Sequence, residues 1–227
     1  MSRPRDAESS RRTGLRRYVL LLAATALSFA IQGIAAPGPA QQVVVTALAG
    51  ATLLLAFRVA ALAPRPMALA ATFTLAALAL SIVRAADGEV GEASVRATNA
   101  ALVALGPPAV AVGIVRDLRS SGRVQLEAVL GVLALYMLLG MAFGFVYGVI
   151  DRLGDGPFFA DGDAATVSRC LYFSFATLAT IGYGDLVASS DLGRTVAVSE
   201  GLIGQIYLVT VVSLIVSNLG RPAGRRR

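Results

Sequence analysis

The chain has 227 residues, of which 56% are hydrophobic and 15% charged, and its mean hydropathy is +0.71, a balance that excludes an ordinary soluble domain. All 20 basic residues are arginine and stand in short runs between apolar stretches, which reads as membrane topology rather than a nucleic-acid-binding face. One cysteine, Cys170, excludes an intrachain disulfide and a Cys-cluster metal site, and with no histidine present a zinc enzyme is disfavoured.

A membrane span needs about 20 apolar residues, because a helix rises ~1.5 Å per residue through ~30 Å of hydrocarbon. After a basic tail (Arg3, Arg5, Arg11, Arg12, Arg16, Arg17), the first such stretch is Tyr18–Ala36. Ser10-Arg11-Arg12-Thr13-Gly14-Leu15 resembles a twin-arginine export signal, but the apolar stretch exceeds the usual signal core of about 7–15 residues, so retention as a span is expected. Pro37-Gly38-Pro39 ends it, and a second stretch runs Gln42–Leu62. Pro64-Arg65-Pro66 leads to a third, Pro66–Val83. The fourth, Ala97–Val115, is interrupted by Gly106-Pro107-Pro108 and followed by Arg116, Arg119 and Arg123. The fifth is Ala128–Ile150, closed by Gly154-Asp155-Gly156-Pro157, and the sixth is Thr195–Leu219, before Arg221 and Arg225–Arg227.

The arginines mark alternate ends of these stretches, whereas the opposite connections are neutral or carry Asp151, Asp155, Asp161 and Asp163. Under the positive-inside rule both termini are then cytoplasmic, in a multi-pass protein of the plasma membrane.

Between the fifth and sixth stretches lies a seventh apolar segment that is too short to span. Its helical part, about Ala164–Thr177, reaches only ~21 Å and carries Arg169. Ile181-Gly182-Tyr183-Gly184-Asp185 follows at once and does not continue a helix. A short helix and an extended strand that enter and leave on one side form a re-entrant loop. Non-helical backbone at membrane depth is tolerated only where it is buried in protein or lines a watery path, so a pore or cavity is expected here.

Thr180-Ile181-Gly182-Tyr183-Gly184-Asp185 resembles the selectivity-filter signature of tetrameric potassium channels, and the preceding Tyr172–Ala179 resembles that family's pore helix. Six specified residues at about 5% usage each arise by chance in a few per million chains of this length. The resemblance covers about Ala128–Leu219. It implies an all-α membrane protein with six transmembrane helices and a re-entrant pore helix and filter loop between the fifth and sixth. It also implies assembly as a homotetramer and passive K+ conduction with no cofactor beyond the ions. By the same resemblance K+ is coordinated by the backbone carbonyls of Thr180, Ile181, Gly182 and Tyr183, since carbonyl rings replace the ion's hydration shell. Gly184, Asp185 and Tyr172 would support the filter and its outer mouth. Gly182 and Gly184 permit positive φ.

This chain departs from many relatives by having Ala179 for a threonine, Tyr172-Phe173 for a tryptophan pair, and Ala176 where some place a carboxylate. Those differences bear on filter inactivation, not on selectivity. On the sixth stretch, Gly204 matches the family's hinge glycine, with Gly201 a second choice and close helix packing through small residues the rival role. Gln205, Leu208 and Val212 are expected at the cavity wall. Glu200, the only acid inside a span, is expected either to hydrogen-bond behind the pore helix and titrate there or to lie wetted near the outer interface.

Voltage sensing needs several charges that cross the field, at ~2.3 kcal/mol per charge per 100 mV. The fourth stretch contains no arginine from Ala97 to Val115, and no Asp or Glu occurs between Tyr18 and Val83. Weak or absent voltage dependence is therefore expected, with Arg116, Arg119 and Arg123 snorkelling at the cytoplasmic end. The expected division is a tail at 1–17, a four-helix voltage-sensor-like region at 18–123 lacking sensor arginines, a pore domain at 124–220 and a tail at 221–227. Gating is expected to use the membrane region or another protein, because the chain stops eight residues after Leu219. A potassium transporter subunit is disfavoured by the single intact filter, and a non-selective cation channel by the complete Tyr-Gly pair. A membrane enzyme finds no carboxylate pair or nucleophile–base set.

Overall fold

The computed structural model describes the backbone of residues 4–34, 38–88, 93–121 and 126–219, with side chains except at 4–13, 93, 117–121, 212 and 214–219. Arg3, Pro37, Arg123, Arg221 and Arg225–Arg227 lie outside the described residues, as do the side chains of Arg5, Arg11, Arg12, Arg119 and Val212.

The helices in chain order are α1 (Pro4–Ile34), α2 (Pro39–Val59), α3 (Pro64–Ala86), α4 (Ala93–Ala104), α5 (Gly106–Ser121), α6 (Leu126–Leu153), α7 (Val167–Leu178) and α8 (Asp191–Leu219). Among the described residues, five segments are long and apolar enough to cross a membrane: Gly14–Ile34, Pro39–Val59, Pro64–Ala86, Ser94–Arg116 and Leu126–Leu153. The described residues thus form helices joined by loops, with the makings of a multi-pass membrane protein. α2 and α3 both open on proline near N1, where the missing N–H would have had no partner anyway. The fourth apolar stretch divides at Leu105 into α4 and α5. Pro107 and Pro108 withhold the N–H groups that would have bonded Val103 and Ala104, and their rings crowd those carbonyls.

Three hydrophobic clusters hold the helices together. One joins Tyr18 and Leu21 of α1, Ala56 and Val59 of α2, Val110 and Ile114 of α5, and Val132 and Leu138 of α6. The second joins Val45 and Leu53 of α2 and Leu102 of α4 to Met141, Phe145 and Leu171. The third sits behind the end of α7, around Tyr147, Phe158, Phe159, Cys170 and Phe173. The first helices therefore pack directly on α6 and α7. Phe29 meets Phe175 edge-on with ring centroids 4.7 Å apart. Ser168 Oγ donates to the Gly33 carbonyl, and Arg96 to that of Ala165, each at 2.9 Å.

Glycines set how closely α7 is gripped. On α6, a Cβ at Gly140 would lie 2.7 Å from the Phe175 ring, and one at Gly144 would lie 2.8 Å from Leu171. These two glycines and Gly148 form a G-x-x-x-G-x-x-x-G stripe, a small-residue spacing that brings helices into close approach.

Candidate functional site

The segment between α6 and α8 enters and leaves on one side. Ala160 N–H donates to the Val187 carbonyl at 3.0 Å and Ser189 N–H to that of Phe158 at 2.8 Å, so the segments before α7 and after the Gly-rich run meet in an antiparallel bridge. Arg169 binds Asp161 in an ion pair, reaches Asp163 at 3.3 Å, and lies 4.8 Å above the Phe159 ring, pinning the outer loop to α7.

α7 begins at Val167, later than the expected Ala164, because the Thr166 hydroxyl accepts the Arg169 N–H at 3.3 Å and caps the helix. Its C-terminus closes in a Schellman pattern. Thr180 N–H donates to the Thr177 carbonyl at 2.9 Å and Ile181 N–H to that of Ala176 at 2.8 Å. That pattern demands a left-handed residue at Thr180, whose φ is +56°. A β-branched side chain there is strained by about 1–2 kcal/mol, and glycine is the usual occupant. Nothing in the sequence reading anticipated this.

Gly182 and Gly184 follow with φ of +56° and +80°, as their residue type had suggested. Ile181 and Tyr183 do not share the positive φ. The sign of φ thus alternates along 180–184, where a regular β-strand keeps it negative throughout. The expected ion-coordinating residues thus form one continuous run with Gly184 and Asp185.

Tyr172 and Asp185 come together as well. Tyr172 Oη donates to Asp185 Oδ2 at 2.9 Å, and the Tyr172 ring stacks on Tyr183 at 6.1 Å with only 8° between planes. The bond to Asp185 raises the Tyr172 phenol above its ordinary range. Cys170 is buried, and burial pushes its thiol up to about 12, a poor state for redox chemistry.

On α8, Gly204 is buried against the end of α7, and a Cβ there would lie 2.6 Å from the Leu178 carbonyl oxygen. Gly201 is half-buried, and the nearest atom to a Cβ would be Thr177 Cγ2 at 3.9 Å. α8 remains α-helical through both glycines. Gln205 and Leu208 are exposed. Glu200 is fully buried, with hydrogen bonds to Tyr147 of α6 and Ser174 of α7, each at 2.5 Å. The buried alternative of the two expectations for Glu200 therefore holds. Tyr147, Ser174, Gly140 and Gly144 were not singled out from sequence. The G-x-x-x-G spacing was the available signal for the glycines, and none marked Ser174.

Residues 131–221 match a family described as "Ion channel". Over 88 residues the chain is 31% identical to an inward rectifier potassium channel, Kirbac3.1, of Paramagnetospirillum magnetotacticum. That similarity covers 39% of this chain and 28% of the relative, so the chain spans little more than a quarter of that protein's length. No solved structure matches. The family match falls on α6 to α8, and both similarities point to an ion channel, not an enzyme.

Proposed function

We propose that this chain is one subunit of a potassium-selective channel, in which four copies bring four filter loops around one axis. The observation that carries this is the run Thr180–Gly184, with positive φ at 180, 182 and 184, at the closed end of α7. Four such runs would present rings of carbonyls from Thr180, Ile181, Gly182 and Tyr183, the chemistry that replaces the hydration shell of K+. α7 is the pore helix in this reading, and its partly negative C-terminal end favours a cation. α6 is the outer helix and α8 the inner, sixth-spanning helix, with both termini cytoplasmic and the protein in the plasma membrane. The potassium channel named among the similar proteins supports the choice of ion.

Residues 18–123 form the four-helix region in this proposal and 124–220 the pore domain. Support for weak voltage dependence comes from Arg116, whose guanidinium donates at 3.1 Å to the Ala61 carbonyl just past α2. This places Arg116 at the end of its apolar stretch, where a snorkelling arginine is expected.

The test is ion flux from proteoliposomes holding the full chain. Uptake of K+ far above Na+, lost in Gly182→Ala, is the expected result. Equal K+ and Na+ uptake in the wild type would overturn the proposal.

A further inference from the structure

Three short oxygen–oxygen contacts link the helices behind the filter. Tyr147 Oη lies 2.5 Å from Glu200 Oε2, Ser174 Oγ lies 2.5 Å from Glu200 Oε1, and Ser174 Oγ lies 2.6 Å from the Gly140 carbonyl oxygen. Each contact at that distance needs a proton between the oxygens. The Tyr147 hydroxyl supplies one. Ser174 also has only one, yet it takes part in two of the contacts. A backbone carbonyl has none to give. The remaining proton must sit on Glu200.

We infer that Glu200 is held as a neutral carboxylic acid and positions the pore helix by completing a relay from Tyr147 through Glu200 and Ser174 to the Gly140 carbonyl. This rests on the channel reading for its consequence, not for the proton count. The neutral acid donates to Ser174, which is then free to donate to Gly140. If Glu200 lost its proton, Ser174 would turn its hydrogen to the carboxylate. Two oxygens would then face each other across 2.6 Å with nothing between them. The relay ties α6, α7 and α8 at one depth, and Ser174 lies one turn before Leu178, against which Gly204 packs. Slackening it loosens the helix that holds Thr180.

The surroundings contain no described cation to pair with a carboxylate. The titratable groups facing Glu200 are the phenols of Tyr147 and Tyr136 from α6, with the Cys170 thiol of α7 beside Tyr147. Its hydrogen-bond partners among the described residues are two hydroxyls. An unpaired charge in such a site is strongly disfavoured.

Infrared spectroscopy of the purified full-length protein at neutral pH tests the proton directly. A protonated-carboxyl band that disappears in Glu200→Gln is expected, and its absence from the wild type overturns the inference whether or not the protein conducts. Planar-bilayer recordings across neutral to alkaline pH test the consequence. Wild-type K+ open probability falls about tenfold and reversibly as pH rises, the scale of one buried hydrogen bond exchanged for a repulsive contact. Glu200→Gln, whose amide keeps both bonds, conducts like the wild type at neutral pH with a flat profile. The same alkaline fall in Glu200→Gln overturns the positioning role. A protonated Glu200 in a protein that passes no K+ overturns the channel reading alone.

Discussion

Gly204 of α8 rests on the carbonyl of Leu178 so closely that a methyl group at 204 would lie 2.6 Å from the oxygen. Because that oxygen belongs to backbone at the end of α7, relief requires moving a helix and not a side chain. Overpacking of this kind costs about 1–3 kcal/mol. Gly204→Ala is therefore expected to lower the thermal unfolding midpoint in detergent and to reduce the folded protein recovered. Gly201→Ala, which meets nothing closer than 3.9 Å, is expected to hold or raise stability, by up to about 1 kcal/mol from helix propensity. If Gly204 served only as a hinge, its alanine variant would alter gating with no loss of stability, and unfolding measurements would show it.

Thr180 carries the opposite trade. Its φ of +56° is one that glycine adopts freely, so Thr180→Gly is expected to stabilise the fold, offset in part by a more flexible unfolded chain. The same change removes the side-chain hydroxyl at the start of the proposed filter and is expected to lower K+ conductance severalfold. Denaturant titration and single-channel recording on one preparation would check both. A gain in stability without loss of conductance would show that the strain has no functional part, and a loss of stability would contradict the strain.

Tyr172 holds Asp185 through one hydrogen bond at 2.9 Å while its ring backs Tyr183. Tyr172→Phe keeps the stack and removes the bond. Faster decay of macroscopic K+ current under maintained opening is expected, with ion selectivity unchanged. Identical decay in the variant would mean that Asp185 is held by something else.

Much of this arrangement was legible in the chain itself, and the boundary of legibility is physical. Length and apolarity mark the membrane segments because hydrocarbon thickness sets a number of residues. The Gly182 and Gly184 backbone was readable because only glycine enters positive φ without penalty. Thr180 was not, since its left-handed conformation is dictated by the closure of α7 and runs against its residue type. The fourth stretch was seen to be broken, and the break falls at Leu105 because the two prolines fix it. Glu200 could be flagged as an acid in an apolar stretch. Its partners could not, because Tyr147 and Ser174 lie 53 and 26 residues away and meet it only through the rotation of three helices. The packing of Phe29 and Arg96 on the α7 region likewise depends on tertiary contacts that no local pattern encodes.

Arg116 is bonded to the Ala61 carbonyl at 3.1 Å and is the best-placed described cation to imitate a voltage sensor. Arg116→Gln is expected to leave the conductance–voltage relation unshifted, with at most a small loss of stability from the missing carbonyl bond. A steep relation in the wild type that flattens in this variant would assign it a sensing role.

The central claim is that residues 180–184 form a potassium-selective path in an assembled tetramer. The most direct measurement is the reversal potential of the purified protein in planar bilayers, first under a KCl gradient and then with NaCl replacing KCl on one side. The expected reversal lies near the potassium equilibrium potential in both conditions, and currents vanish in Gly182→Ala. A reversal near zero with NaCl opposite KCl would show equal permeation of both ions and contradict the account.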